Sequence, residues 1–349
     1  MSLNPKFPLF LPGVNNSNNN NISIIGADIS EVVTHVGYYI STNGGIETKI
    51  QKKYNTAEYA NFSEILTQFL AEENIENAKR LGIAVPGPVL HGKSTPERLG
   101  WSLDVEVFKR DFGFEQVNLL NDQEASAYGV ALLQDEDLDP IHTSGHLEKG
   151  NVAFITPSLG LGEAGYFYDG EFLRPFATEG GHSEFSPRTT VEVEFYQFLN
   201  NIYGIVSWEN VISKTGLFNI YRFLRDVKRH PEPAWLGDRL ANGNFTEEIF
   251  KAAMEEDVLI CKITLDTFIE FLARESNNLT LKLKATGGLL IGGDIAKIIR
   301  KYIDKDKFYE IFKISDKMEE MLKNIPIYVI NTETSSVNGA ALYTAYYKN

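Results

Sequence analysis

Val117-Asn118-Leu119-Leu120-Asn121-Asp122-Gln123-Glu124-Ala125 is the stretch from which the fold can be read. A short apolar run ends in two polar residues and passes at once into helix-forming sequence, which is how a buried strand hands over to a helix. A carboxylate at the end of such a strand points into the crevice where α/β proteins bind ligands. Asn121 with Glu124 three residues on also makes a helix capping box, which needs no ligand. On these residues alone both readings stay open.

Toward the N-terminus, Leu81–Val85 is a strand stopped by Pro86-Gly87-Pro88, because proline cannot continue a ladder. Asp104 is placed to cap a short helix reaching Phe112, and Phe62, Ile65, Leu66 and Phe69 recur at helical spacing. Ile22–Asp28, Val32–Ile40 and Gly45–Lys53 read as three successive strands. The progression βββαβα belongs to mixed α/β domains. Asn15–Asn21 is asparagine throughout except Ser17, a tract with nothing to bury, so residues 1–21 are expected to form a flexible arm.

Toward the C-terminus a polar loop is expected over Gln134–Gly150, and a second series follows it. Val152–Thr156 and Ala164–Tyr168 read as strands, and Val191–Ile202 and Thr215–Val227 as helices. Phe250, Met254, Val258, Cys261, Leu265, Phe268 and Leu272 step by three and four, which predicts one long buried helix. Leu289–Ile291 and Ile327–Ile330 are strands, and Ser336–Tyr346 a last helix. The expected division is a small α/β domain over 22–133 plus 334–349 and a large one over 134–333, with a cleft between them.

Composition narrows the classes of function. The 349 residues carry 33 Lys and Arg against 47 Asp and Glu, a formal charge of −14, which argues against a broad nucleic-acid surface. The one cysteine, Cys261, excludes a disulfide framework and fits a reducing compartment. No apolar run approaches the roughly 20 residues that cross a bilayer. The nearest imitation of a signal peptide, Phe7–Val14, is broken by Pro8, Pro12 and Gly13. A cytoplasmic protein without nucleic-acid or membrane partners is expected.

Thr178-Glu179-Gly180-Gly181-His182-Ser183-Glu184-Phe185 places two glycines between an acid and a histidine, which permits a tight excursion presenting both side chains on one side of a loop. Acid, imidazole and amide groups suit a polyhydroxyl ligand, since each hydroxyl both donates and accepts. The plain alternative is a turn with a locally bonded histidine. His35, His91, His142, His146 and His230 form no helix-borne ligand pair with carboxylates, so a histidine metal site is not expected. Ser158-Leu159-Gly160-Leu161-Gly162 and Gly287-Gly288-Leu289-Leu290-Ile291-Gly292-Gly293 are turns whose backbone amides could approach phosphate oxygens, although glycine also simply turns a chain. The P-loop pattern GxxxxGK[ST] does not occur.

Taken in order, Gly26–Ile29, Gly82–Pro88, Leu119–Ala125, Gly160–Gly165, Glu179–Pro187, Val206–Leu224 and Gly287–Ile295 resemble the bacterial-type glucokinases of the hexokinase–actin–heat-shock-chaperone class, from Ile22 to Ala341. Glu179-Gly180-Gly181-His182, then Val206-Ser207-Trp208-Glu209-Asn210-Val211 and Thr215-Gly216-Leu217-Phe218-Asn219, is the specific part. The resemblance implies a two-domain ribonuclease H-like (actin-like ATPase) fold with an interdomain cleft. It implies an ATP- and Mg2+-dependent transfer of the γ-phosphoryl group to the 6-hydroxyl of glucose, in a homodimer. Carried over by position, Asn121, Asp122, Glu179, His182 and Glu209 hold glucose, with Asp122 the base on the 6-hydroxyl. Asp28 faces the metal–phosphate. Ser30, Thr34, Ser158, Gly160, Gly162, Gly292 and Gly293 fall on the nucleotide turns.

The nucleotide side departs from the family pattern. After Asp28-Ile29 the family has paired glycines and a threonine, where this chain has Ser30-Glu31-Val32-Val33-Thr34. Leu159 replaces a hydroxyl residue, and Arg98-Leu99-Gly100-Trp101 replaces a Thr-Asn run before the tryptophan. Glu31 brings a charge of the phosphates' own sign, and two such charges about 4 Å apart repel by roughly 1 kcal/mol in water and about 4 kcal/mol at an effective dielectric near 20. These departures define the alternative expectation: a sugar-binding sensor or regulatory protein that keeps the kinase fold without its activity.

Overall fold

In a computed structural model the described residues are 6–96, 98–143, 148–332 and 335–347. The chain divides into two compact units, Met1–Glu136 with Tyr166–Ala177 and Thr332–Asn349, and Asp137–Gly165 with Thr178–Asn331.

In the first unit the three opening runs become β1 (Ser23–Asp28), β2 (Val33–Ser41) and β3 (Ile46–Asn55), paired antiparallel. β4 (Arg80–Val85) pairs parallel with β1, a two-stranded ribbon follows in β5 (Lys93–Ser94) and β6 (Leu103–Asp104), and β7 (Gln116–Asn121) pairs parallel with β4. The large sheet thus has the order β3-β2-β1-β4-β7. One face is covered by the helices Phe62–Glu72 and Val105–Phe112, whose Phe62, Ile65, Leu66, Phe69 and Phe108 join a core with Ile25, Ile83 and Val117. Asp104 caps the second of these helices and Gly113 ends it in the left-handed conformation. The helices Asp122–Val130 and Ser335–Tyr346 pack together, the latter also against β1 and β4.

The segment expected to be a flexible arm is instead seated within this unit. Phe7, Leu9 and Leu11 are buried, Leu9 bridges to Leu173, and Phe10 N–H donates to Leu173 O at 2.9 Å. The asparagine tract ends on a buried contact: Asn19 accepts from Arg80 at 2.9 Å and donates to Gly13 O at 2.9 Å. Polar composition alone predicts looseness, but three apolar anchors upstream and one buried guanidinium downstream hold the segment at both ends.

In the second unit, β8 (Leu138–His142), β9 (Val152–Pro157), β10 (Leu161–Tyr168), β11 (Leu173–Thr178), β12 (Gly288–Ile291) and β13 (Ile327–Ile330) belong to a sheet of order β11-β10-β9-β12-β13-β8. The tip of the β10–β11 hairpin counts with the first unit. β8 lies inside the stretch expected to be a polar loop; it pairs antiparallel with β13 as an edge strand, which is where Pro140 is tolerated. His142 stacks on Tyr309 at 3.9 Å, and His146 lies outside the described residues. The helix expected over 250–272 is two, Phe245–Met254 and Leu259–Leu283. Glu255-Glu256-Asp257 separates them, with Asp257 at φ +59°, so the apolar stripe continues across a break in the backbone. Cys261 is fully buried, and burial pushes its thiol up to about 12, an inert packing residue. Among the described residues no helix is long and apolar enough to cross a membrane.

Candidate active site

The residues singled out above fall into two groups, one in each unit. In the first, the parallel ladders align Asp28 with Ala84 and Val85 with Asn121, so Asp28 and Asn121 leave the same end of the sheet. Asn121 caps the helix that follows: its Oδ1 accepts from Gln123 N–H at 2.9 Å and Glu124 N–H at 3.4 Å, while Nδ2 donates to Gly87 O at 3.1 Å. Asp122 Oδ1 accepts from Gln123 N–H at 2.8 Å. The cap and the turn at Pro86-Gly87-Pro88 therefore fix the direction of both side chains at the strand end. Asp28 accepts a hydrogen bond from Ser336 Oγ, supplied by the last helix.

The turn after Asp28 closes on itself. Ser30 Oγ donates to Val33 O at 2.8 Å and accepts from Val33 N–H at 3.1 Å. Glu31 is paired with Arg98 at 3.3 Å, so its charge is met from the stretch that replaces the family's Thr-Asn run. Thr34 requires a correction. Strand alternation turns it inward, it has no exposed surface, and its hydroxyl shares a 2.9 Å hydrogen bond with Thr56. Its side chain is a packing group within the unit and is not presented to a phosphate.

In the second unit, Gly180–His182 forms a single 3-10 turn in which His182 N–H donates to Glu179 O at 3.1 Å, leaving the side chains of Glu179 and His182 exposed. Thr178 Oγ1 steadies its entrance, donating to Glu163 O at 3.0 Å and accepting from Gly180 N–H at 3.1 Å. Gly180 leaves room for Glu163, whose Oε2 occupies the space a Cβ there would need, so any side chain at this position would require the buried carboxyl to shift. Downstream, Phe185 N–H donates to Val206 O at 2.9 Å and Trp208 N–H to Ser183 O at 3.0 Å, which ties Glu209 to the same turn. Glu209 Oε2 in turn accepts from Leu161 N–H at 3.2 Å. Arg274, buried among Phe185, Trp208 and Phe271, donates to Ser186 O at 2.7 Å and pairs with Glu192, bracing this wall from behind.

The glycine turns of this unit converge as well. Ser158 N–H donates to Gly160 O at 2.9 Å, Gly162 O accepts from Thr156 Oγ1 at 3.2 Å, and Gly292 N–H donates to Ile155 O at 2.8 Å. Gly293, at φ +87°, lies against Pro157 O where no side chain fits. Asp294 then receives Ser158 Oγ at 3.1 Å and the Lys214 ammonium at 3.4 Å. The structure thus groups Glu179, His182 and Glu209 around the 158–162 turn, with Gly292 and Gly293 at its other side.

Ser336, Arg98, Lys214, Arg274 and Glu163 are contributors that the residue pattern did not single out for these roles. Each acts through a partner distant in sequence, so no local spacing announces it. Glu163 carries the clearest electrostatic signature: burial, then the neighbouring Glu275, pushes its carboxyl up to about 8 against the opposing pull of Lys282. Among the described residues no group of three or more His, Cys, Asp or Glu is placed to hold a metal ion.

A helix returning to the first sheet, glycine turns after strands and a carboxylate at a strand end are what the resemblance to sugar kinases of the actin-like ATPase class implies. The glucokinase family model matches residues 25–347, and the chain belongs to that family. It is 31% identical over 318 residues to the glucokinase of Nostoc punctiforme, covering 87% of this chain and 93% of the relative. A glucokinase structure from an Antarctic psychrotroph matches with a TM-score of 0.78 at 22% identity, over 92% of this chain and 98% of the other. A ROK-family glucokinase from Streptomyces griseus, in complex with glucose and AMPPNP, matches with a TM-score of 0.59 at 16% identity, over 91% and 98%.

Proposed function

We propose that this chain is an active glucokinase, transferring the γ-phosphoryl group of ATP to the 6-hydroxyl of glucose. The observation that carries the reading is the cluster in which the Glu179–His182 turn and Glu209 are hydrogen-bonded into one neighbourhood with the 158–162 turn. Such a set both accepts from and donates to sugar hydroxyls. Asn121 and Asp122 complete the proposed sugar set. Asp122 accepts the proton of the 6-hydroxyl as its oxygen bonds to the γ-phosphorus and the bond to the ADP oxygen breaks, so the proton ends on the carboxylate and the electron pair on ADP.

Mg2+ fits what Asp28 offers. This ion is usually held by one or two carboxylates together with substrate phosphates and water, so the lack of a three-carboxylate cage is no obstacle. Asp28, oriented by Ser336, is the residue that would hold it, and the ion supplies charge neutralisation at the phosphates. The glycine turns at Gly160, Gly162, Gly292 and Gly293, with Ser30 and Ser158, support binding of the nucleotide. Family resemblance supports a homodimer, and the single buried thiol suits a cytoplasmic setting.

The sensor alternative drew on the charge of Glu31, and the pairing of that carboxylate with Arg98 weakens its electrostatic ground. A coupled assay for glucose 6-phosphate with ATP, GTP and polyphosphate as donors tests the proposal. Turnover with ATP is expected. Protein that binds glucose yet turns over with no donor would establish the sensor instead.

A further inference from the structure

Beneath the Glu179–His182 turn lies a pair of carboxyl groups that the chemistry above does not use. Glu163 on β10 is 1% exposed, and Glu275 on the helix Leu259–Leu283 is 0% exposed. Two carboxyl groups buried this close together repel when both are ionised, so one of them keeps its proton. Glu275 is the one equipped to be ionised, since it accepts from Asn278 Nδ2 at 2.7 Å and from the Lys282 ammonium at 3.3 Å. Glu163 has no such support. Its Oε1 meets no donor, and its Oε2 lies against Gly180 in the space a Cβ would need. The proton therefore belongs on Glu163.

The charged groups facing Glu163 are Glu275 and Lys282, both from the same helix. From the side of the turn it meets Thr178 and Gly180, which do not ionise in this range. We propose that Glu163 is a positioning residue for the sugar-binding turn, seating Glu179-Gly180-Gly181-His182 only while its carboxyl is neutral, so that glucose affinity falls in alkaline solution. A neutral carboxyl packs against the Gly180 backbone and is not repelled by Glu275. An ionised one is repelled by Glu275 and drawn toward water, and the turn resting on it has to move. The inference rests on the reading of Glu179 and His182 as sugar contacts.

The test is calorimetric titration of the full-length protein with glucose across pH. With Glu163 titrating near about 8, the dissociation constant is expected to rise about tenfold from about pH 7 to about pH 9. Glu163→Gln, neutral at every pH and of the same shape, should give a flat profile. Glu275→Gln removes the repelling charge and leaves Lys282, so its inflection should move to lower pH. Melting curves at both ends of the range establish that each variant is folded; a merely structural Glu163 would lower the melting point and leave the pH profile unchanged. Wild-type affinity that is the same at both pH values, or a Glu163→Gln profile that falls like the wild type's, overturns the inference alone. No glucose binding at any pH overturns the sugar-contact reading and the inference with it.

Discussion

Asp122 opens a helix and Glu31 lies in a bend, each following a strand of the first sheet, yet their surroundings give the two carboxylates different work. Asp122 is partly buried, and a backbone amide holds its carboxylate at the strand end. Asp122→Asn should lower kcat by about 10²- to 10⁴-fold while glucose still binds, measured by the coupled assay and by calorimetry. Glu31 is paired with Arg98 at 3.3 Å, and the guanidinium side chain is 68% exposed, so the pair contributes little to stability. Its consequence is local charge. Arg98→Glu should raise the KM for ATP severalfold, the effect shrinking as salt screens it, and adding Glu31→Gln to that variant should recover part of the loss. Thr34 makes the opposite case, a residue of the nucleotide motif whose side chain serves packing. Thr34→Val leaves the buried Thr56 hydroxyl without its partner and should cost about 1–3 kcal/mol of stability by denaturant titration, with the KM for ATP unchanged. A raised KM with stability intact would return Thr34 to the nucleotide.

Elements were legible where pattern and packing agree. The continuous apolar run of β1, the largely alternating run of β2, the Asp104 cap and the apolar spacing of Phe62–Glu72 each specify one structure from nearest neighbours alone. The break at Glu255–Val258 was not legible, because the apolar stripe keeps its helical phase across it while Asp257 takes a left-handed backbone. Nor was β8, whose Leu138-Asp139-Pro140-Ile141-His142 is a strand by virtue of pairing with β13, distant in the chain. The same holds for the candidate site. The residue types at Asn121-Asp122 and Glu179–His182 could be read locally, but Arg274 behind Trp208 and Glu163 beneath Gly180 are fixed by tertiary contacts. Glycine turns test this at the scale of an element. Gly293→Ala forces a Cβ against Pro157 O at a left-handed φ, and should raise the KM for ATP about tenfold with the KM for glucose little changed. A loss shared equally by both substrates would mean that the turn supports the whole unit and not the nucleotide.

Across the whole chain, two features separate the energetics of folding from those of catalysis. The first is the N-terminal segment. Phe7, Leu9 and Leu11 are 5%, 3% and 4% exposed, and burial of each contributes roughly 1.5–3 kcal/mol. Deleting residues 1–12 should therefore lower the melting temperature by about 5 °C or more, whereas an arm that hung free would leave it unchanged. The second is the proton on Glu163, which titrates near 4.5 when free and near about 8 in the fold. Between those values the unfolded chain has released the proton and the native chain still holds it, so stability falls as pH rises. The contribution is complete below about pH 4.5 and gone above about pH 8, with a slope of at most about 1.4 kcal/mol per pH unit. The chain's charge of −14 also grows more repulsive over part of that interval, so the wild-type slope alone assigns nothing. The difference between wild type and Glu163→Gln does. The variant shares every other titrating group, and its denaturation free energy should decline less steeply from about pH 5 to about pH 8. Parallel slopes would place the proton elsewhere, and with it the neutral carboxyl on which the sugar-binding turn is argued to rest.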